Sequence, residues 1–307
     1  MRHHRERPTL LRADGDDSRA RTLRRQHRAG LLVRLRAGTY LARTSWVELD
    51  QADRHLVRIW AVAPVVPTGA AFSHVSAALV HGWPLVGPAP ERVHVTVPGA
   101  ERTVHRAGLV LHATGGAQVR LAPARLDGVP VTDLVTTAST VATSMPVHVA
   151  AVAIDGAVRA GALTPSELAT ALPAGPARGS RRAQTVLRAL DARHETVGES
   201  YTAVRLVESG IDRVVPQHEF RHDHVVDRVD FWLPDSGTVI EFDGKVKYTD
   251  PMMLAGRDPG EVAWAEKRRE DRLRQRSEVR TVIRVTWWHL ERLDRFQGLV
   301  RAHGLVL

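Results

Sequence analysis

Asp230, Glu241 and Asp243 place three carboxylates in one short stretch near the C-terminal end, and Lys245 follows them. On a strand, alternate side chains share a face, so Glu241, Asp243 and Lys245 can point the same way. Carboxylates that converge repel one another unless a cation neutralises them, and oxygen ligands of this kind suit Mg²⁺ or Mn²⁺. Such an ion lowers the pKa of a bound water and polarises a phosphate. An ammonium at Lys245 would stabilise the negative charge that develops. Asp230 and Glu241 are the first candidate ligands, with Asp243 and Glu199 as further ones. The alternative is ordinary structure: Asp235 and Asp243-Gly244 as turn residues, with Glu241 paired to an arginine.

The surrounding elements must bring these groups together. Val197 to Gly210 reads as a helix with Glu199 in its first turn and Gly210 as its stop. Val214 to Phe220 and Val225 to Leu233 read as a hairpin, Pro234-Asp235-Ser236-Gly237 as a turn, and Thr238 to Asp243 as the returning strand. Folding the last strand back brings Asp230 near Glu241. Glu261 to Arg276 reads as a strongly charged helix, Thr281 to Thr286 as a fourth strand, and Trp288 to Ala302 as a last helix. The order is α-β-β-β-α-β-α.

That order, with Glu241-Phe242-Asp243 shortly after Asp230, resembles the PD-(D/E)XK nuclease superfamily. It is more closely similar to the small restriction-endonuclease-like domains related to very-short-patch repair endonucleases. Glu241-Phe242-Asp243-Gly244, the basic run Glu266 to Asp271 and Arg284-Val285-Thr286-Trp287 carry the resemblance. It implies an αβββαβ domain over residues 190–307 that hydrolyses DNA phosphodiester bonds with Mg²⁺ or Mn²⁺. One position departs from the pattern: Asp243 stands where a lysine is usual, so Lys245 or Lys247 would supply the positive charge from a shifted place.

Lysine usage points the same way. Of the 43 lysines and arginines only Lys245, Lys247 and Lys267 are lysines, and all three fall in this region. A lysine offers a compact charge with an adjustable pKa, which arginine does not.

A net charge of +9 points to an acidic partner, nucleic acid first. The excess sits at the start, where residues 1–60 hold 14 arginines against 7 acids. Ser18 to His27 reads as a basic helix, and Leu31 to Leu35 with Thr39 to Ala42 as a hairpin. A helix followed by a basic hairpin is the pattern of a winged helix-turn-helix. The segment LVRLRAGTYL resembles the N-terminal domain of AbiEi-type antitoxins of abortive-infection systems. The resemblance implies DNA binding by Arg24, Arg25 and Arg28 on the helix and by Arg34 and Arg36 on the wing, with Lys267 as a DNA contact from the C-terminal region. A cognate toxin is the implied protein partner.

Residues 61–180 are less informative. Ser73 to His81 reads as a short helix, Val93 to Val97 and Gly108 to His112 as strands, and Thr132 to Thr143, Val147 to Arg159 and Thr164 to Leu172 as helices. The segment AFSHVSAALVHGWPL resembles the middle domain of the same antitoxins. His74, His81, His94, His105 and His112 fit no compact metal motif by their spacing, which favours a structural role. Pro173 to Gly179 is the best linker.

Zero cysteines exclude disulfides and thiolate chemistry. No apolar run approaches the ~18 residues of a membrane helix, and the start has no apolar core for a signal peptide. The expectation is an α+β cytoplasmic protein in three parts: a winged-helix region at 1–60, a mixed α/β middle domain at 61–180 and the nuclease-like domain at 190–307. A second reading makes it an antitoxin-like transcriptional autoregulator whose nuclease fold is inactive.

Overall fold

The β-branched runs collect into three sheets in the computed structural model, which describes residues 7–13, 15–114, 120–122, 126–173, 175–222, 225–244 and 268–307. The architecture is α+β. The chain divides into two compact units, Met1–Ala157 with Ala162–Ala183, and Val158–Gly161 with Gln184–Leu307. The basic start and the middle region, read as separate domains from sequence, thus fall in one unit.

In the first unit, β1 (Leu11–Arg12), β2 (Leu32–Arg36) and β3 (Thr39–Ala42) form an antiparallel sheet in the order β1-β3-β2. Gly38 takes φ 71° to close the β2–β3 turn. Helix α1 (Asp17–Arg28) is capped by Asp16, whose Oδ1 accepts the Ser18 N–H at 2.8 Å, so Asp16 rather than Ser18 starts it. Only Leu23 of this helix is buried, against Leu32 and Tyr40. Its arginines are left to solvent.

Helices α2 (Arg43–Glu48) and α3 (Gln51–Val62) follow where no element was read, and α3 buries Val57, Ile59 and Trp60. A second sheet runs β4 (Ala71–Phe72), β5 (Val93–Val97), β7 (Leu109–Ala113), β6 (Val104–Arg106), with α4 (His74–Val80) leading out of β4. Strands β5 and β7 are parallel. Phe72, Val93 and Val95 share a core with Val57, Ile59, Val129 and Val131.

Helices α5 (Leu134–Ser144), α6 (Val147–Arg159), α7 (Pro165–Ala171) and α8 (Ser180–Ala189) complete this part of the chain. The capping box of α7, Thr164 with Glu167, is formed as its sequence dictates. Gly179, at the end of the proline-glycine stretch before α8, lies close against Thr143. A Cβ at Gly179, φ 87°, would lie 2.2 Å from the Thr143 carbonyl, and the boundary between units falls later, inside α8.

The second unit holds α9 (Val197–Glu208), β8 (Val215–His222), β9 (Val225–Leu233), β10 (Thr238–Phe242), helical residues 268–274, β11 (Thr281–Val285), α10 (Trp287–Leu290) and α11 (Leu293–Ala302). Its sheet order is β11-β10-β9-β8, antiparallel except for the β10–β11 pair. The final helix is split, because Arg292 takes extended backbone between α10 and α11. Leu273 is the buried residue of 268–274 and packs with Val239, Val282 and Phe220, docking these helical residues on the sheet. Arg205 of α9 is buried and donates from Nε and Nη2 to the Leu290 carbonyl at 2.9 and 2.6 Å. Among the described residues no helix is long and apolar enough to cross a membrane.

Candidate functional site

The hairpin register explains how Asp230 reaches Glu241. Strand β9 meets β10 through Leu233↔Thr238, Trp232↔Val239 and Phe231↔Ile240, and the ladder stops there. One more step would set Asp230 opposite Glu241. Instead the strands part, and the Asp230 Oδ2 accepts the backbone N–H of Phe242 at 2.7 Å. The side chain of Asp230 takes the place of a strand partner and lies between the two diverging backbones.

Phe242 anchors this opening from the other side. Its ring sits against Gly198 in the first turn of α9, where an added Cβ would come within 2.1 Å of it. The ring also meets Trp287 edge-on, 4.9 Å between centroids. A side chain at position 198 would force helix and strand apart, so glycine is required here for close approach.

Glu199, one residue on, is buried at 3 % exposure. Its Oε1 accepts from Thr196 Oγ1 at 2.8 Å, and its Oε2 accepts from the Glu195 N–H at 2.9 Å and from Gln217 Nε2 at 2.7 Å. Both oxygens are thus committed to capping α9 and gripping β8, which differs from the expected role as a metal ligand. Gln217 has φ 51°, a left-handed backbone uncommon for a non-glycine residue, at the point where the β8–β9 ladder skips one pair between Pro216↔Phe231 and His218↔Val229. The skipped partner of Gln217 is Asp230.

Glu241 is ion-paired with Arg269 at 2.7 Å, as the ordinary reading of its sequence allowed. Arg269 also donates to the Arg228 carbonyl. The helical residues that carry it are tied to the sheet twice more: Arg272 meets the buried Asp227 at 2.6 Å, and Arg284 meets Glu270 at 2.6 Å. Hydrogen bonding from Arg274, with the nearby Arg284 charge, holds the Glu270 carboxyl below its ordinary range. Arg284 stands next to Glu241 in the parallel β10–β11 register. The site is therefore lined by arginines.

Asp243 follows the end of β10, and its N–H continues the parallel ladder to the Val285 carbonyl at 2.7 Å. Lys245, Lys247 and Lys267 lie outside the described residues. Among the described residues, Asp230, Glu241, Asp243 and Glu199 supply no group of three carboxylates within metal-ligand distance of one another.

The arginines expected on the first unit differ in their surroundings. Arg24, Arg25, Arg28 and Arg34 are exposed on α1 and β2. Arg36 turns inward, and its Nε donates to the Ala61 carbonyl at 2.6 Å, closing the end of α3. One helix precedes the hairpin among the described residues.

Gln217 and Arg269 went unread in the sequence. A glutamine in the strand paired with the one carrying Asp230 was the available signal for the first. For Arg269, the signal was its place in a basic helix behind the carboxylates.

No family model and no curated protein matches the chain. A crystal structure of the RV2827C protein from Mycobacterium tuberculosis is similar at 18% identity and a TM-score of 0.36, over 72% of this chain and 79% of that one. A likeness of that degree carries no argument.

Proposed function

We propose that the protein binds DNA through the arginines of α1 and β2 and cleaves it at a Mg²⁺-dependent site in the second unit. The observation that carries this reading is Asp230, held where strands β9 and β10 part by the N–H of Phe242, the residue that follows Glu241. The succession α9-β8-β9-β10, helical residues 268–274, β11, with β11 parallel to β10, supports a restriction-endonuclease-like core.

Asp230 and Glu241 would hold the ion, which when bound activates a water and polarises the scissile phosphate. The Phe242 N–H fixes the orientation of Asp230, and the Glu199–Gln217 bond fixes β8 against α9. Arg269 pairs with Glu241 and would offer a further N–H of its guanidinium to a phosphate oxygen. Asp243 as a further ligand and Lys245 as an electrostatic stabiliser belong to the same proposal, as does Lys267 as a DNA contact. Incubating the purified chain with plasmid in Mg²⁺ or Mn²⁺, against an EDTA control, tests it. Nicked or linear product only with the divalent ion is expected.

The Glu241–Arg269 pair also favours a second reading. A site whose glutamate is already neutralised, with an aspartate in the usual lysine position, suits an antitoxin-like regulator that keeps the fold as a binding module, with a toxin as partner. Retained DNA binding with no cleavage under any divalent ion would select it.

A further inference from the structure

We propose that His74, His94 and His112 form a binding site for one divalent transition-metal ion of the zinc class. The three come from separate elements: His74 is the first residue of α4, His94 lies in β5 and His112 in β7. Each offers a ring nitrogen, and the three nitrogens all lie within 4.8 Å of one another. No pair of them is close in sequence, which is why their spacing gives no motif. The parallel register brings them together instead. Thr96 is paired with His112 and His94 with Val110, so His94 and His112 are diagonal neighbours on one face of the sheet.

His94 Nδ1 and His112 Nε2 share a hydrogen bond at 2.9 Å. Two nitrogens on one tetrahedral zinc, with bonds of about 2.0–2.1 Å, stand roughly 3.3 Å apart. The pair therefore opens by a few tenths of an ångström to admit the ion. The His74 ring stacks on His112 at 3.8 Å between centroids and swings from that stack to reach the same point.

Second contacts support the set. His74 Nδ1 lies 2.9 Å from Ser73 Oγ, the kind of outer hydrogen bond that fixes which ring nitrogen is left to ligate. His74 also holds φ 55°, a costly backbone for a non-glycine side chain, and strain of this kind concentrates at working sites. The His94 N–H is bonded to Ser76 Oγ at 2.8 Å, which also holds His55, so β5 is fixed at that residue.

The donor set selects the ion. Three imidazoles without thiolate or carboxylate suit Zn²⁺, Cu²⁺, Ni²⁺ or Fe²⁺ and reject Mg²⁺ and Ca²⁺. Neutral imidazole is the ligating form. Three protein ligands leave one coordination position for water, as in sites where zinc acts on a substrate. This site is separate from the Asp230–Glu241 pair, and the inference stands whether or not that pair is active.

The test uses the purified full-length chain, stripped with chelator, loaded with Zn²⁺ and dialysed. Elemental analysis is expected to give one zinc per chain, and His94→Ala or His112→Ala is expected to weaken binding by roughly a hundredfold or more. Replacing His3 and His4, a second cluster in the sequence, controls for adventitious binding and should leave the stoichiometry unchanged. Should these variants fail to fold, the cobalt-loaded parent decides, because a tetrahedral nitrogen-rich site gives a strong visible absorption band. Absence of stoichiometric zinc, its loss with His3 and His4, or a cobalt spectrum of the hexa-aqua type would each overturn the inference.

Discussion

The carboxylate of Asp230 accepts the backbone N–H of Phe242 at 2.7 Å, so the residue proposed to hold the metal also bridges two strands where their ladder ends. Charge and hydrogen bonding can be separated at this position. Asparagine keeps an oxygen to accept the N–H and removes the negative charge.

Asp230→Asn is therefore expected to abolish divalent-dependent cleavage, by at least about a hundredfold, while thermal stability changes by less than about 1 kcal/mol. Asp230→Ala should lose both activity and stability, since the Phe242 N–H is then left to water. Plasmid nicking and thermal melts of the two variants check this, and cleavage by Asp230→Asn at the parent rate would remove the residue from the site.

Gly198→Ala places a methyl group where the Phe242 ring lies. Overpacking of this kind costs about 1–3 kcal/mol. Because the displaced ring adjoins Asp230's hydrogen-bond partner, cleavage should fall as well. Chemical denaturation followed by tryptophan fluorescence measures the first effect, and an unchanged midpoint would contradict the close approach.

DNA affinity should divide the arginines of the first unit. Combined alanine substitution of Arg24, Arg25, Arg28 and Arg34 is expected to weaken duplex binding and to flatten its salt dependence, since fewer counterions are released. Arg36→Ala removes the hydrogen bond to Ala61 and should lower the melting temperature while leaving the salt slope as it is. A fluorescence-anisotropy titration across salt concentrations distinguishes the two.

Acid should loosen the first unit through His55. Its ring is fully buried, with Nδ1 donating to the Pro90 carbonyl at 2.7 Å and Nε2 facing Ser76 Oγ at 2.8 Å. Burial, opposed by the Pro90 bond and assisted by Arg58, lowers its pKa from 6.5 to about 4. The folded state binds the proton less readily than the unfolded chain, so the associated stability is complete above pH 6.5 and is lost as pH falls toward 4. The loss amounts to about 3 kcal/mol for this residue. Thermal melts across that range should show it, and His55→Gln should flatten the dependence.

The sequence made the second unit's elements legible because its strands carry strong β-branched runs separated by a Pro-Asp-Ser-Gly turn. Strand alternation alone gave the register that runs from Leu233↔Thr238 toward Asp230 and Glu241. The point where β9 and β10 part was not legible, because it depends on Phe242 packing against Gly198 across the sheet. The fate of Glu199 was hidden for a similar reason: its partner Gln217 comes from strand β8, outside its own helix. In the first unit α2 and α3 went unread, since their arginines and histidine mask the apolar face that buries Val57 and Ile59. The histidine cluster depends on the pairing of β5 with β7, a parallel contact that spacing along the chain does not record.

The bond from Arg205 to the Leu290 carbonyl spans most of the second unit. A buried guanidinium without acceptors is costly, and Arg205 finds them in Glu208 and Tyr201 of its own helix as well as in Leu290. The Leu290 carbonyl, 85 residues further along the chain, therefore ties α9 to the end of α10 through a cation that α9 already holds in place.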